Sequence, residues 1–310
     1  MSQIPLIILG GRDRRPADLP ASGKGLRTLH GYKGADLEIG GAPLITRVIE
    51  RMSECGAFGP IFVAGPKRIY EGIVPEECIL ETDGGFGDNL RTGIDSVRSL
   101  DPELIAVTTC DILPDPDELQ IAVQDLLSRQ PLDFWMPHIP VTADDLGSSE
   151  WKPRYWLQPP GSAEALATLP GHIVVADIRP LRLPFVYHLF DLFYATRNAS
   201  VARRRLGILP RVLGFLLRED WGYLRRGERP YAFFDVLYNG LKMAAHLKAG
   251  RAVTTEFEDR IRKLFYTRQH RRLYPQRRGR IAILDVLSLA RDIDTEEEAE
   301  EFQRLAETAP

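Results

Sequence analysis

The chain has 310 residues, with 40 Lys and Arg against 43 Asp and Glu, and 44% of its residues are hydrophobic. This near balance of charge excludes the strongly basic surface typical of nucleic-acid-binding proteins, and the length suits one large α/β domain or a domain with an insertion. The cysteines Cys55, Cys78 and Cys110 show no C-x-x-C spacing. The wide separation of the three cysteines argues against a metal cluster or a disulfide framework, so we predict a reducing cytoplasm as the compartment. We find no signal peptide and no apolar run near the ~20 residues of a membrane span.

The first predicted strand is a short apolar run, Leu6–Leu9, that stops at Gly10-Gly11 and is followed at once by arginines. Glycine has no Cβ atom, so backbone N–H groups at such a turn can approach a bound anion, and Arg12 and Arg15 add positive charge. The turn suits the phosphates of a nucleotide, although strand–Gly–Gly turns also occur without a ligand. A long polar connection follows and carries two lysines, Lys24 and Lys33.

Strands and helices then alternate along the chain. Apolar runs predict strands at Ile61–Ala64, Cys78–Leu80 and Leu104–Thr108, and helical spacing follows each of the glycine pairs Gly40-Gly41 and Gly84-Gly85. This alternation predicts a parallel α/β sheet, in which ligands bind at the carboxyl ends of the strands. Both glycine-rich loops and Asp111 fall at that edge, which favours a nucleotide site there.

The second half of the chain lacks the regular alternation of strands and helices seen in the first half. We predict strands at Asp133–Pro137 and His172–Ile178, the latter with Asp177 near its end, and a late strand at Ile281–Leu287. The intervening residues do not alternate with strands, so the helices predicted there form an insertion or a lid. Thr295 is predicted to cap a last acidic helix. The predicted helices of the insertion are Phe185–Thr196, Val201–Leu217, Tyr231–Leu247 and Phe257–Lys263.

Two basic segments allow a further interpretation. The run at 268–280 is basic enough for nucleic acid or an anionic membrane. It is short and belongs to a nearly neutral chain, so we expect a solvated loop or an arm that reaches a phosphorylated acceptor, and no nucleic-acid partner. Arg203–Leu217 combines arginines with an apolar face. That pattern permits peripheral membrane contact, but packing against the sheet explains it at least as well.

Several motifs, taken together, resemble the MobA-like nucleotidyltransferases. They are the strand with G-G-R-x-x-R, the lysine loop, L-x-I-G-G-x-P-L-I, Asp111 after an apolar strand, and the closing D-I-D-T-x-E. The resemblance covers residues 4–115 and resumes near 172–179 and 290–302. It implies a Rossmann-like, three-layer α/β fold of the GT-A nucleotidyltransferase type, with a mostly parallel sheet. Residues 1–180 would form the core, 181–280 a helical insertion on the acceptor side, and 281–310 the strand and helix that complete the core.

The resemblance also implies roles for individual residues. Lys33 and Arg15 would stabilise the transition state, and Asp111 and Asp292 would hold Mg²⁺, the implied cofactor. Asp177 would lie on the acceptor side. The nucleotide itself would be bound by Leu9, Gly10, Gly11, Arg12, Arg15, Lys33, Gly85 and Asn89.

The implied reaction transfers a nucleoside monophosphate from a nucleoside triphosphate to a small acceptor and releases pyrophosphate. Lys, Arg and Mg²⁺ suit it because negative charge accumulates on phosphate oxygens and on the leaving group. Family habit makes CTP or GTP the first bases to test and a phosphorylated sugar or polyol the acceptor. The sequence predicts no oligomeric state.

Departures from the family pattern leave alternatives open. Asp13 stands where the family usually has glycine, and the long lysine loop makes Lys24 a competitor of Lys33. Asp111 could cap a turn, and Asp292 and Asp294 could begin a helix. One rival function is a GT-A glycosyltransferase that takes a sugar nucleotide; its usual D-x-D motif follows an apolar strand, whereas Asp292–Asp294 lies near the C-terminus. The other rival is a non-catalytic nucleotide-binding regulator.

Overall fold

The computed structural model describes residues 3–12, 25–142, 146, 152, 154–196, 201–250 and 252–308. The side chains of 201–206 and 305–308 are outside this description. The strands are β1 (Ile4–Leu9), β2 (Glu38–Ile39), β3 (Ala42–Pro43), β4 (Phe58–Gly65), β5 (Ile79–Glu81), β6 (Ile105–Thr109), β7 (Leu132–Pro140), β8 (Tyr155–Gln158), β9 (Leu166–Pro170), β10 (Ile173–Ala176), β11 (Ala252–Val253) and β12 (Arg278–Ile283).

The helices begin and end where local chemistry favours it. One example starts at Pro116, where Asp115 Oδ1 accepts hydrogen bonds from the backbone N–H groups of Asp117 and Glu118 at 3.0 and 3.1 Å. The helices are α1 (Lys33–Asp36), α2 (Leu44–Glu54), α3 (Lys67–Tyr70), α4 (Phe86–Arg98), α5 (Pro116–Ser128), α6 (Leu183–Thr196), α7 (Val201–Arg225), α8 (Ala232–Lys248), α9 (Thr254–Phe265), α10 (Arg268–Leu273) and α11 (Glu296–Thr308).

One large sheet organises the described chain. Its strand order is β11-β8-β9-β7-β10-β6-β1-β4-β5, with β12 paired to β7. Strands β6, β1, β4 and β5 run parallel to one another, and β10 enters between β6 and β7 antiparallel to both. The predicted α/β fold with a largely parallel sheet is therefore confirmed.

Strand β1 is buried on both faces, which explains its unbroken apolar sequence. Leu6 and Ile8 point into the core that contains α2 and α5, whereas Ile7 and Leu9 point into a second core beneath α4 and α6. Successive side chains of a strand alternate between its two faces, so one six-residue segment supports both layers. The structure is thus a three-layer arrangement about β1.

Helices α6 to α9 follow β10 and pack together around a core of their own, which includes Phe185, Leu216 and Val236. Helix α6 also packs against α4, which joins this helical block to the sheet. Strands β8, β9 and β11 extend the sheet beyond β7 and were not predicted from the sequence. No helix in the described part of the chain combines the length and apolar character needed to cross a bilayer.

Candidate functional site

The candidate site lies at the carboxyl ends of β1 and β6, which are adjacent and parallel, with Leu9 paired to Thr109. The turn Gly10-Gly11-Arg12 leaves the first strand and Cys110-Asp111 leaves the second. Side chains from several elements close a cleft above this edge. The cleft is lined by Leu9, Gly11, Arg12, Lys33, Phe86, Asn89, Thr109, Cys110, Asp111 and Tyr194.

Both glycines of the first turn leave room for a neighbouring side chain. A Cβ atom on Gly10 would lie 2.7 Å from the Tyr70 hydroxyl oxygen and 2.9 Å from two ring carbons of Tyr70. A Cβ atom on Gly11 would lie 2.2 Å from Asn89 Nδ2. Distances under 3.0 Å cannot be tolerated without a shift, so Gly10 lets the turn pack on Tyr70 and Gly11 leaves room for an amide at the cleft.

The orientation of the Asn89 amide is set by its neighbour. The Thr82 hydroxyl donates to Asn89 Oδ1 at 2.9 Å, and Asn89 is buried on α4. Its Nδ2 group therefore faces Gly11 and the cleft as a hydrogen-bond donor. Asn89 thus offers N–H groups to a ligand in this cleft.

Lys33 is a buried ammonium group among carboxylates. Its Nζ lies 3.0 Å from Asp111 Oδ2 and 2.5 Å from Asp294 Oδ1, and its side chain is 8% exposed. Burial alone would lower the pKa of Lys33, but the negative charges of Asp111, Asp294 and Asp292 outweigh it and raise that pKa above its ordinary value. Lys33 is therefore a permanent cation at the centre of the site.

The C-terminal segment reaches the site by running along the strand ends. Asp292 pairs with Ile112 in an isolated antiparallel bridge, and the N–H of Ile293 donates to the Asp111 carbonyl at 2.8 Å. The N–H of Leu29 donates to the Asp294 carbonyl at 2.9 Å. These backbone contacts bring both C-terminal aspartates beside Asp111.

A second buried lysine, Lys152, completes the charge cluster and was missed in the sequence. Its Nζ donates to Asp292 Oδ1 at 2.5 Å and lies 3.2 Å from Glu298 Oε1. Glu298 is fully buried and belongs to a capping box, in which its N–H donates to Thr295 Oγ1 at 3.2 Å. The predicted cap at Thr295 is confirmed. No pattern in the sequence points to Lys152, because its partners Asp292 and Glu298 lie about 140 positions further along the chain.

The carboxylates fit a divalent cation. Asp111, Asp292 and Asp294 each place an oxygen so that all three lie within 4.8 Å of one another. Asp111 Oδ1 is buried and has no hydrogen-bond partner, so a ligand position remains unused. With Glu298, four carboxylates face two lysines, which leaves excess negative charge for a hard cation such as Mg²⁺.

Two of these carboxylates differ strongly in acidity. Burial favours the protonated form of Asp292, but His172, 3.4 Å away, and Lys152 hold the pKa of Asp292 well below its ordinary value. Burial and repulsion from Asp292 raise the pKa of Asp294, although Lys33 and Lys152 oppose them. His172 is thus a partner of Asp292.

An aromatic wall borders the other side of the cleft. Phe86, the first residue of α4, stacks on Tyr194 of α6 with ring centroids 5.1 Å apart, and both rings line the cleft. Phe190 packs behind them, 5.3 Å from Phe86. The helical block therefore contributes a surface to the same cleft as the glycine turn.

Three further predicted residues lie elsewhere or outside the description. Asp177 follows β10, which runs antiparallel to β6, so Asp177 lies at the edge of the sheet opposite the cleft, where it pairs with Arg179 and Arg277. Gly85 is the N-cap of α4, next to the cleft residue Phe86. Arg15 lies outside the described residues, as do Asp13 and Lys24.

The basic run at 268–280 forms α10 and the start of β12; most of its residues are exposed, but His270 and Arg277 are buried. His270 Nε2 lies 2.8 Å from Asp133 Oδ1, and Arg277 Nε donates to the same oxygen at 3.0 Å. Asp133 has no exposed surface and also pairs with Arg262 of α9. This buried cluster joins β7 to α9 and α10.

The comparisons with known proteins concern the fold. No protein-family model matches the chain, and no curated protein matches it in sequence. A structure described as a hypothetical transferase from Thermus thermophilus is similar over 96% of this chain and 100% of its own, with 19% identity and a TM-score of 0.53. A 2-C-methyl-D-erythritol 4-phosphate cytidylyltransferase from the same organism aligns over 99% and 100%, with 14% identity and a TM-score of 0.41.

The first similarity, extending over nearly the whole of both chains, shows that this chain has the Rossmann-like fold of that structure. The second is too distant in shape to carry an argument of its own. Function must therefore be argued from the site itself.

Proposed function

We propose that the chain is a Mg²⁺-dependent nucleotidyltransferase. It would transfer a nucleoside monophosphate from a nucleoside triphosphate to a small, phosphorylated sugar or polyol and release pyrophosphate. The observation that carries this proposal is the meeting of Lys33 with Asp111, Asp292 and Asp294 at the strand ends, beside the Gly10-Gly11 turn. The motifs that resemble the MobA-like family supply these residues.

Each group in the site has a task in this reaction. Asp111, Asp292 and Asp294 would hold Mg²⁺, which when bound would neutralise charge on phosphate oxygens. Lys33, held rigidly by burial, would stabilise the charge that develops as pyrophosphate leaves. Arg12, at the mouth of the cleft, and Arg15 would bind the outer phosphates.

The aromatic wall supports a nucleotide as the ligand. A base can stack on Phe86 and Tyr194, while Asn89 Nδ2 donates to an acceptor atom of the base or the ribose. CTP and GTP remain the bases to test first. We propose the cytoplasm as the compartment, in keeping with three free cysteines.

One panel experiment tests the reaction. Pyrophosphate release would be measured with each of the common nucleoside triphosphates against sugar and polyol phosphates, with and without Mg²⁺. We expect turnover with one pair and its loss, by about a hundredfold or more, in Asp111→Asn and Lys33→Ala. The control is Asp259→Asn, which changes an exposed carboxylate of α9 that pairs with Lys263.

Other outcomes identify the rival functions. Saturable nucleotide binding without turnover of any pair would favour the regulator. The glycosyltransferase stays under test because the D-x-D pair Asp292–Asp294 lies beside Asp111; transfer from a sugar nucleotide, with none from a triphosphate, would establish it. Full activity in Lys33→Ala together with loss in Lys24→Ala would assign the catalytic lysine to residue 24.

A further inference from the structure

Helices α7 and α8 form a hairpin whose outer surface is unusually apolar. On α7, Leu217, Trp221 and Leu224 are 56%, 57% and 49% exposed, and on α8, Phe234, Tyr238 and Leu241 are 73%, 61% and 61% exposed. Each set follows the i, i+4, i+7 spacing that places residues on one face of a helix. We call these six residues the hairpin stripe.

The stripe is additional to the apolar face that holds the hairpin in the fold. Leu216 of α7 and Val236 of α8 are buried in the core of the helical block, at 0% and 7% exposure. Packing within the chain therefore accounts for those inward faces and leaves the hairpin stripe without a covering element among the described residues. A group of large exposed side chains of this kind marks an interaction surface.

The charge around the stripe is positive. Arg218, Arg225 and Arg229 are exposed and form no ion pair with any described residue. Arg225 lies over the Trp221 ring, 5.5 Å from its centroid. These arginines lie beside the stripe or in the turn between the two helices.

The nearby acidic residues are already engaged. Asp220 accepts hydrogen bonds from the N–H groups of Tyr231, Ala232 and Phe233 at 2.8 to 2.9 Å, at the start of α8. Glu219 pairs with Arg182, and Glu228 pairs with Arg226. The surface offered to a partner is therefore apolar and cationic.

We propose that the hairpin stripe docks on the interface of an anionic lipid bilayer. Trp and Tyr combine an apolar ring with a polar group and favour the headgroup region, Leu and Phe enter the acyl boundary, and flanking arginines attract anionic headgroups. A nucleic acid would leave Leu217, Leu224 and Leu241 without apolar partners. A second copy bound through the same face would bring identical arginines together. This inference is independent of the proposed reaction.

Vesicle binding tests the proposal on the full chain. We expect co-sedimentation with phosphatidylcholine vesicles that contain about a third phosphatidylglycerol, weaker binding at high salt, and little binding to phosphatidylcholine alone. The double variant Trp221→Ala/Phe234→Ala should bind at least ~10-fold more weakly. The matched control is Leu273→Ala, which removes an equally exposed leucine (63%) from α10.

Two further measurements report on membrane binding by the hairpin stripe independently of co-sedimentation. Trp221 emission should shift to shorter wavelength on anionic vesicles, and Trp221→Phe should abolish that shift. Arg218→Gln/Arg225→Gln should weaken binding without altering the melting temperature. Absence of binding to anionic vesicles, or undiminished binding by the Trp221/Phe234 variant, would overturn the proposal. So would self-association in solution that this variant abolishes, because the stripe would then bind a second copy.

Discussion

The side-chain amide of Asn89 fills the space in which a side chain at Gly11 would begin. The distance from an added Cβ atom to Asn89 Nδ2 would be only 2.2 Å, and Thr82 holds Asn89 in place. Gly10 has a different neighbour, the buried ring of Tyr70, whose hydroxyl donates to the Gly10 carbonyl at 2.8 Å. The two glycines of one turn thus make room for two different side chains.

Substitution of Gly11 should therefore mainly affect nucleotide binding, and substitution of Gly10 should mainly affect the stability of the fold. Gly11→Ala should displace the Asn89 amide and weaken nucleotide binding at least about tenfold, with little change in stability. Gly10→Ala should press on the Tyr70 ring and lower the free energy of unfolding by about 1–3 kcal/mol. Calorimetric titration and urea melts measure the two effects. The double variant Gly11→Ala/Asn89→Ala should bind nucleotide better than the sum of the two single losses in binding free energy predicts. If it bound no better than that sum, the proposed clash would be wrong.

Without a metal ion, Lys152 should stabilise the fold by neutralising Asp292 and Glu298. With a metal ion present, Lys152 should compete with it for the same carboxylates. Lys152→Met leaves the buried Glu298 and the partly buried Asp292 without their nearest cation, so we expect the free energy of unfolding to fall by about 3 kcal/mol. Added Mg²⁺ should stabilise this variant more than the original chain. Urea melts over a Mg²⁺ series test both effects, with the exposed Lys242→Met as control; equal Mg²⁺ responses would contradict the second.

His138 should make the fold sensitive to acid. Burial lowers the pKa of His138 from its ordinary 6.5 to about 4. Below 6.5 the unfolded chain takes up a proton at this residue while the folded chain does not, so stability is full above 6.5 and is lost as the pH falls towards 4. The loss amounts to about 3 kcal/mol.

The measurement is urea unfolding across this pH window. His138→Gln should flatten the dependence of stability on pH. An identical slope in His138→Gln and the original chain would show that other groups control the acid response.

Removal of the buried Asp133 carboxylate should destabilise the join between the sheet and the helical block. Asp133→Ala would leave Arg262, His270 and Arg277 without their shared partner, and we expect a loss of about 3–5 kcal/mol. Thermal and urea unfolding measure it. Asp259→Ala, which removes an exposed partner of Lys263, should cost less than about 1 kcal/mol. A small effect at Asp133 would mean that water replaces the carboxylate there.

The sequence predicted best what local pattern encodes. The apolar run of β1, the glycines that end it and Asp111 after β6 lie within short segments whose periodicity identifies strand and turn, and parallel strands then bring their ends together. Asp292 was predicted from motif resemblance alone, because its approach to Asp111 depends on a backbone bridge between segments far apart in the chain.

The local sequence pattern did not predict the direction of a strand or the pairing of residues far apart in the chain. The strand before Asp177 was predicted, but periodicity does not encode strand direction, and the antiparallel course of β10 puts Asp177 at the far edge. Lys152 belongs to a segment without helical or strand periodicity, and it contacts a residue 140 positions away. Most of the basic run at 268–280 is exposed, but the sequence could not show that His270 and Arg277 turn inward to Asp133.

The route by which Asp292 and Asp294 reach Asp111 has a consequence during synthesis. The ribosome releases the glycine turn, Lys33 and Asp111 well before it releases Asp292 and Asp294. A nascent chain can therefore build much of the sheet before the three carboxylates come together at this edge, and a ligand that they bind would stabilise only molecules in which Asp292 and Asp294 have docked. Ligand occupancy would thus report whether the segment with Asp292 and Asp294 has docked beside Asp111.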